Sequence, residues 1–353
     1  MGLVLVVTPS SALAHVKWFE DSSRFPLRTD LIFGPSTALW LGASAVVLLW
    51  ASLAQRLLGR ADWPQRRIWH HLAAGGPTQL AVLAAIGLVS AAVRPALFAP
   101  NLSLPAGPIG LAVAGIELAI AATFVTGIGH WIGALLLIGL MPAAALLFSP
   151  LDLAEQLHWL GLATVILVAG RRASDGKLGQ ARPDRLDATC AARALAVMRV
   201  LTGLAVIAAA CEEKLWNPAL GRAFIDHHPL FNVLHGLLGL PFSDDTFVLL
   251  IGVAEGTMGV LLASGLLTRV VVLGMWLPFN VAIPFLPPQE LLGHLPIFGA
   301  MYLMLAHGPG ALWDWRRGIL LLRSMRGPAI RTPSAGQHAG WPLRSTHPLG
   351  EPS

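Results

Sequence analysis

Two ionisable residues stand inside apolar stretches of the sequence, Arg199 in ALAVMRVLTGL and Glu255 in GVAEGTMGV. Such groups cost roughly 2.5–3.5 kcal/mol each to place in hydrocarbon and normally face a partner or water. Counting in from the two stretch ends at about 1.5 Å per residue sets them within about 5 Å of one level, so they are expected to pair. Two roles fit that pair: a lock between two helices, or a centre that handles a proton or a quinone headgroup. Glu117, in AGIELAI, is a third candidate. It has no cation in its own stretch, so it is expected to be neutral, to pair at long range or to face a wet cavity.

A second group is built of imidazoles and carboxylates. His158 and His294 close two apolar stretches, near Glu155 and Glu290, and the polar segment 213–245 adds Glu213, Asp226, His227, His228, His235, Asp244 and Asp245. Copper(II) and zinc take such ligands. Residues 1–14, MGLVLVVTPSSALA, end in an A-x-A-type signature and read as a cleavable signal peptide, with an uncleaved anchor as the alternative. Cleavage after Ala14 would leave His15 with an imidazole and a free amine, a copper-chelating combination. His15, His227, His228 and His235 are therefore the metal candidates. No HxH or HxxxH spacing fixes a geometry, and histidines bonded to loops at a membrane interface explain the same set.

The elements that must position these groups follow from composition. Of 353 residues, 55% are hydrophobic and 12% charged, about half the charge of an ordinary soluble domain. A soluble fold could not cover its surface with so few polar groups, so the chain is expected to lie in a lipid bilayer. The net charge of +5 does not point to nucleic acid, because the arginines cluster between apolar runs. Nine runs near membrane-spanning length occur at 35–55, 78–97, 108–127, 131–149, 154–171, 191–212, 246–265, 268–287 and 291–308. Only helices satisfy their own backbone in lipid, so an all-α, polytopic membrane bundle is expected. Basic residues after the first, fifth, seventh and ninth runs place the mature N-terminus outside and the C-terminus in the cytoplasm of a cell (inner) membrane protein. Many of the 12 tryptophans fall at run ends, as in an interfacial belt. Cys190 and Cys211 bracket one run, roughly 30 Å apart, too far to bridge. No Walker loop, GxGxxG, CxxC or CxxCH supports nucleotide, flavin, thiol-disulfide or c-type haem chemistry.

The chain also repeats itself at an offset of 136 to 138 residues. Glu117 and Glu255 align, each followed ten residues later by a glycine, Gly127 and Gly265. Pro142 and Pro278 align, each followed sixteen residues later by a histidine, His158 and His294. Four helices per copy make a parallel repeat, with both copies entering from one side. The expected fold is thus two parallel four-helix repeats plus one extra N-terminal transmembrane helix. Its parts are a signal peptide (1–14), a leader with the first helix and a basic loop (15–77), a degenerate unit (78–171), a cytoplasmic linker (172–190), a second unit (191–316) and a disordered tail (317–353).

The second unit resembles the DoxX-like family of four-helix membrane proteins, which includes the small subunit of thiosulfate:quinone oxidoreductase. The matching residues are Arg199 and Gly203 in RVLTGL, then Lys214, then GVAEGTMGVLLASGLLTRV with Glu255, Gly259, Gly265 and Thr268-Arg269, and finally GHLPIFGAMYLMLAHGPGALWDW with His294, Gly308, Gly310 and Asp314. The first unit joins the resemblance only through the duplication; it lacks a counterpart of Arg199, and Arg94 only roughly parallels Lys214. The resemblance implies a redox-associated subunit that meets a quinone and a partner redox protein, with Lys214, His294 and His158 as cofactor-binding candidates. A transporter or metal-handling protein with an outward His/acid site, and a non-catalytic scaffold for a partner enzyme, remain the other two readings.

Overall fold

The computed structural model describes residues 16–18, 20–57, 67–174, 185–282 and 288–310, and all elements below lie within them. The expected signal peptide, His15, most of the linker and the tail lie outside these residues. Among the described residues the protein is all-helical, with no strand beyond one isolated bridge between Ala96 and Ser103. The helices are α1 (Pro35–Leu57), α2 (Arg67–Ala92), α3 (Pro108–Thr126), α4 (His130–Ala144), α5 (Pro150–Ala154), α6 (Leu157–Ser174), α7 (Arg185–Ala210), α8 (Pro218–His227), α9 (Asp244–Ser264), α10 (Thr268–Ala282) and α11 (Pro288–His307).

Each of the nine apolar runs contains a helix. Among the described residues five segments are long and apolar enough to cross a bilayer: Pro35–Leu57, Pro108–Thr126, Pro150–Val168, Thr189–Leu215 and Asp244–Ser264. The ends follow from local chemistry. Ser243 caps α9 by accepting the Thr246 N–H, Asp244 and Asp245 complement its N-terminal dipole, and Gly265 ends it in the left-handed conformation at φ 81°. Gly127 ends α3 in the same way at φ 71°. The second run stops at Ala92 because residues 93–104 fold into a compact loop, held by Leu97 N–H to Leu102 O and Leu104 N–H to Pro95 O. The fifth run begins where the short helix α5 ends, at Ala154, and after Glu155 and Gln156 it continues as α6. The sixth continues past Ala210 as a π-helical turn, Cys211–Leu215.

α2 packs on α3 and α11, α7 on α6 and α9, α4 on α3 and α6, and α1 lies against α9. The core between them holds Leu80, Leu88, Ile120, Leu137, Trp159, Leu162, Ile166 and Met198. The outward faces of α1, α3 and α4 are apolar as well: Leu49 is 71% exposed, Leu111 74% and Leu135 47%. Such a surface is wrong for water and compatible with lipid contact. In lipid the hydrophobic effect no longer drives one helix onto another, and close approach at small residues takes over. Gly203 on α7 and Gly259 on α9 show this, since a Cβ at Gly203 would sit 2.7 Å from Gly259 O and Ala263 N.

Candidate functional site

The Gly203–Gly259 approach sets the register of two antiparallel helices, and that register decides where the charges go. It brings Arg199 level with Gly265, and Lys214 level with Gly252, whose Cβ position lies 3.0 Å from Lys214 Cβ. Arg199 and Glu255 therefore do not pair, contrary to the sequence expectation. The Arg199 guanidinium donates Nη1 to Leu262 O and Ala263 O, both at 2.5 Å, and Nε to Pro309 O at 2.8 Å. It thus satisfies the open carbonyls at the end of α9, where a cation also meets the negative end of the helix dipole. Arg269 does the same for α11, donating to Leu305 O and Ala306 O.

Glu255 instead meets Lys214, with Nζ 2.9 Å from Oε2. Lys214 Nζ also reaches Glu213 Oε2 at 3.2 Å. The π turn makes this possible: consecutive Glu212, Glu213 and Lys214 are all buried and reach different partners. π-turns inside helices often mark functional sites.

The other face of this turn meets the N-terminal segment. Lys17 Nζ lies 3.0 Å from Asp152 Oδ1, 3.3 Å from Glu155 Oε1 and in direct contact with Glu212. The Lys17 amide N–H points at Glu213 Oε1 at 3.5 Å. Asp152, Glu155, Glu212, Glu213 and Glu255 thus form a string of carboxylates held by two ammonium groups, Lys17 and Lys214. The string is closed in the middle and open at its ends: the Glu213 side chain is 0% and Glu155 1% exposed, against 31% for Asp152 and 34% for Glu255. Burial alone would push the Lys17 ammonium down, but Glu155, Glu212 and Asp152 outweigh it and hold it above its ordinary value, firmly charged. Glu155 and Glu212 also bond each other side chain to side chain, so the two buried acids meet directly.

His158 and His294 stand at the same end. His158 Nδ1 lies 3.2 Å from Glu155 O, and the His294 ring centroid is 4.9 Å from that of Trp18, the neighbour of Lys17. The structure therefore gathers Lys214, Glu255, His158 and His294, all sequence candidates, around residues the sequence reading had not placed together: Lys17, Asp152, Glu155 and Glu212.

Three other candidates lie apart. His227 Nδ1 is 2.5 Å from Glu20 Oε1, His235 Nδ1 is 3.2 Å from Leu240 O, and His228 packs against Phe224. Burial and the neighbouring His227 push His228 down. Among the described residues no three His, Cys, Asp or Glu side chains are arranged to hold a metal. Cys190 and Cys211 are both free thiols.

Glu117, which the sequence comparison aligned with Glu255, has different surroundings. It is fully buried and accepts the Phe98 N–H at 2.9 Å from the 93–104 loop. Phe98 reaches it from a left-handed backbone, φ 62°, and stacks on Trp159 with ring centroids 5.6 Å apart. Arg94 points elsewhere and is exposed. Glu117 is thus a single covered carboxyl, apart from the string. Comparison of the chain with protein families, with curated proteins and with solved structures finds no match.

Proposed function

We propose that this chain is an integral membrane protein of DoxX-like type that takes up cations at its outer end and carries them toward the middle of the bilayer. The observation that carries this reading is the carboxylate string from Asp152 to Glu255, with more acids than ammonium groups and both ends open. Glu255 lies eleven residues into α9, roughly 16 Å along the axis and about half of a 30 Å hydrocarbon core. Buried charge at that depth marks ion or proton pathways.

The duplication supports the same architecture. α2, α3, α4 and α6 correspond to α7, α9, α10 and α11. Exchanging the two sets maps the α2–α11 contact onto the α7–α6 contact, as two parallel units around one axis require. The basic residues between the runs set the string on the outer side. A quinone at Arg199 and Glu255 gains no support from this arrangement, because the donors of Arg199 are committed to helix-end carbonyls.

The test is flux. Protein reconstituted in liposomes carrying a metal-sensitive or pH-sensitive dye should move cations, and Glu255→Gln should reduce the rate at least tenfold with the protein still folded. Equal rates for Glu255→Gln and wild type would overturn the reading.

A further inference from the structure

Away from the string, one carboxyl is sealed in the interior. Glu117 lies nine residues into α3, about 14 Å along its axis and near the middle of a 30 Å hydrocarbon core. It is 0% exposed. Among the described residues one oxygen accepts the Phe98 N–H at 2.9 Å, and Oε2 is buried without a hydrogen-bond partner. A buried polar atom left in this way calls for an explanation.

The seal is the 93–104 loop, which dips beside α3 to bring a backbone amide to this carboxyl. Non-helical backbone at membrane depth is tolerated where protein buries it, and Leu97, Phe98, Ala99 and Leu102 are all buried. Phe98 adopts the left-handed conformation at φ 62°, an outlier for a bulky residue. Such strain persists where the surroundings over-determine it, and it gathers at functional sites. In this conformation the Phe98 amide meets Glu117 and its ring stacks on Trp159. One neutral N–H is too little to hold an ionised carboxylate away from water. The ionisable groups on the elements packed around it are engaged elsewhere. Arg94 of the loop is exposed, His130 bonds Gly127 O at the far end of α3, and His158 lies against Glu155 O. The segment of α2 from Pro77 to Ala92 carries none. A carboxylic acid removes the charge and still accepts the Phe98 N–H through its carbonyl oxygen.

We propose that Glu117 is a proton-binding site, a carboxylic acid with its proton on Oε2 that α3 and the 93–104 loop shut away from water. The ligand is a proton alone. Water delivers it, an O–H bond forms on Oε2, and release returns the proton to water with the electron pair left on the oxygen. A carboxylate needs the water that the seated loop excludes, so sealing and proton release oppose each other, and exchange with solvent is slow. The site is separate from the string and does not depend on cation uptake there.

The test is infrared spectroscopy of the full chain in lipid at pH 7. Wild type should show the C=O band of a carboxylic acid above the amide bands, and Glu117→Gln should lack one component of it. Subtracting the two spectra isolates that component from any other protonated acid. Glu117→Gln keeps an acceptor for the Phe98 N–H, and Glu117→Met serves if it fails to fold. In D2O the component should shift at least tenfold more slowly in wild type than in Phe98→Ala, which keeps the amide and removes the ring from the seal. Trp159→Leu thins the same seal from α6 and is the second variant. No difference between wild type and a folded Glu117 variant overturns the proton site. A component that shifts as fast in wild type as in the thinned variants overturns the seal and leaves the proton site standing. Liposome flux tests the string separately, and neither result alters it.

Discussion

Replacing Lys214 by methionine tests whether the inner half of the string is ionic in the way its geometry requires. The change keeps the volume of the side-chain stem and deletes the charge that Glu213 and Glu255 share at 3.2 and 2.9 Å. Glu255 also loses its ammonium, at a depth where lipid gives a charge no solvation, so its loss adds to that of Glu213. The Glu213 side chain is wholly buried, and removing one partner of a buried ion pair costs about 3–5 kcal/mol. The single substitution should therefore destabilise by at least about 4 kcal/mol. Lys214→Met with Glu213→Gln removes both charges and should recover about 2 kcal/mol, because a neutral replacement of a buried pair is often tolerated. Unfolding by sodium dodecyl sulfate from detergent micelles, followed by tryptophan fluorescence, measures both. A single substitution costing under 1 kcal/mol, or a double one as costly as the two singles added, would refute the reasoning.

Arg199→Met should destabilise by about 3 kcal/mol, since it abandons three carbonyls bonded by a charged donor, but it should leave cation flux unchanged. The same denaturation and flux assays read both effects. Gly203→Ala should cost about 1–3 kcal/mol because its Cβ meets backbone atoms at 2.7 Å, whereas Gly139→Ala, with open space around it, should be neutral. The Lys17 clamp should also respond to pH with a definite sign. Its ammonium is held above the ordinary 10.5, so the clamp is at full strength below that pH and weakens as pH rises past it. A spin label on Ser23→Cys should therefore stay immobile from pH 7 to pH 10 and loosen only above. Loosening below pH 9 would contradict the charge assignment.

The helices were legible in the sequence because lipid imposes so simple a rule: a run of about twenty apolar residues must satisfy its backbone internally. Even where bounds moved, a named residue explains the move. Pro95 and the loop around it end α2 early, and Ser149 and Pro150 start a separate short helix before α6. The pairing of charges was not legible. Counting residues from a helix end gives approximate depth, but depth across two helices depends on register, and Gly203 against Gly259 shifts Arg199 to the level of Gly265. Arg199 and Glu255 therefore stand on levels about ten residues apart along α9. Lys17 was hidden for another reason. Its partners lie 135 or more residues away, and only tertiary folding could bring them together. The spacing of Asp152 and Glu155, and the adjacent Glu212 and Glu213 at the end of an apolar run, were the available hints. Without a partner in view they resembled ordinary interfacial acids.

The most direct test of the cation-handling account is dye-detected cation flux into liposomes by wild type and by Glu155→Gln/Glu212→Gln. The account requires flux above that of protein-free liposomes in wild type, and its loss in the double variant with the helical content intact. Flux that survives the double variant undiminished would show that the buried acids are not on the path, and the proposed role would fall with them.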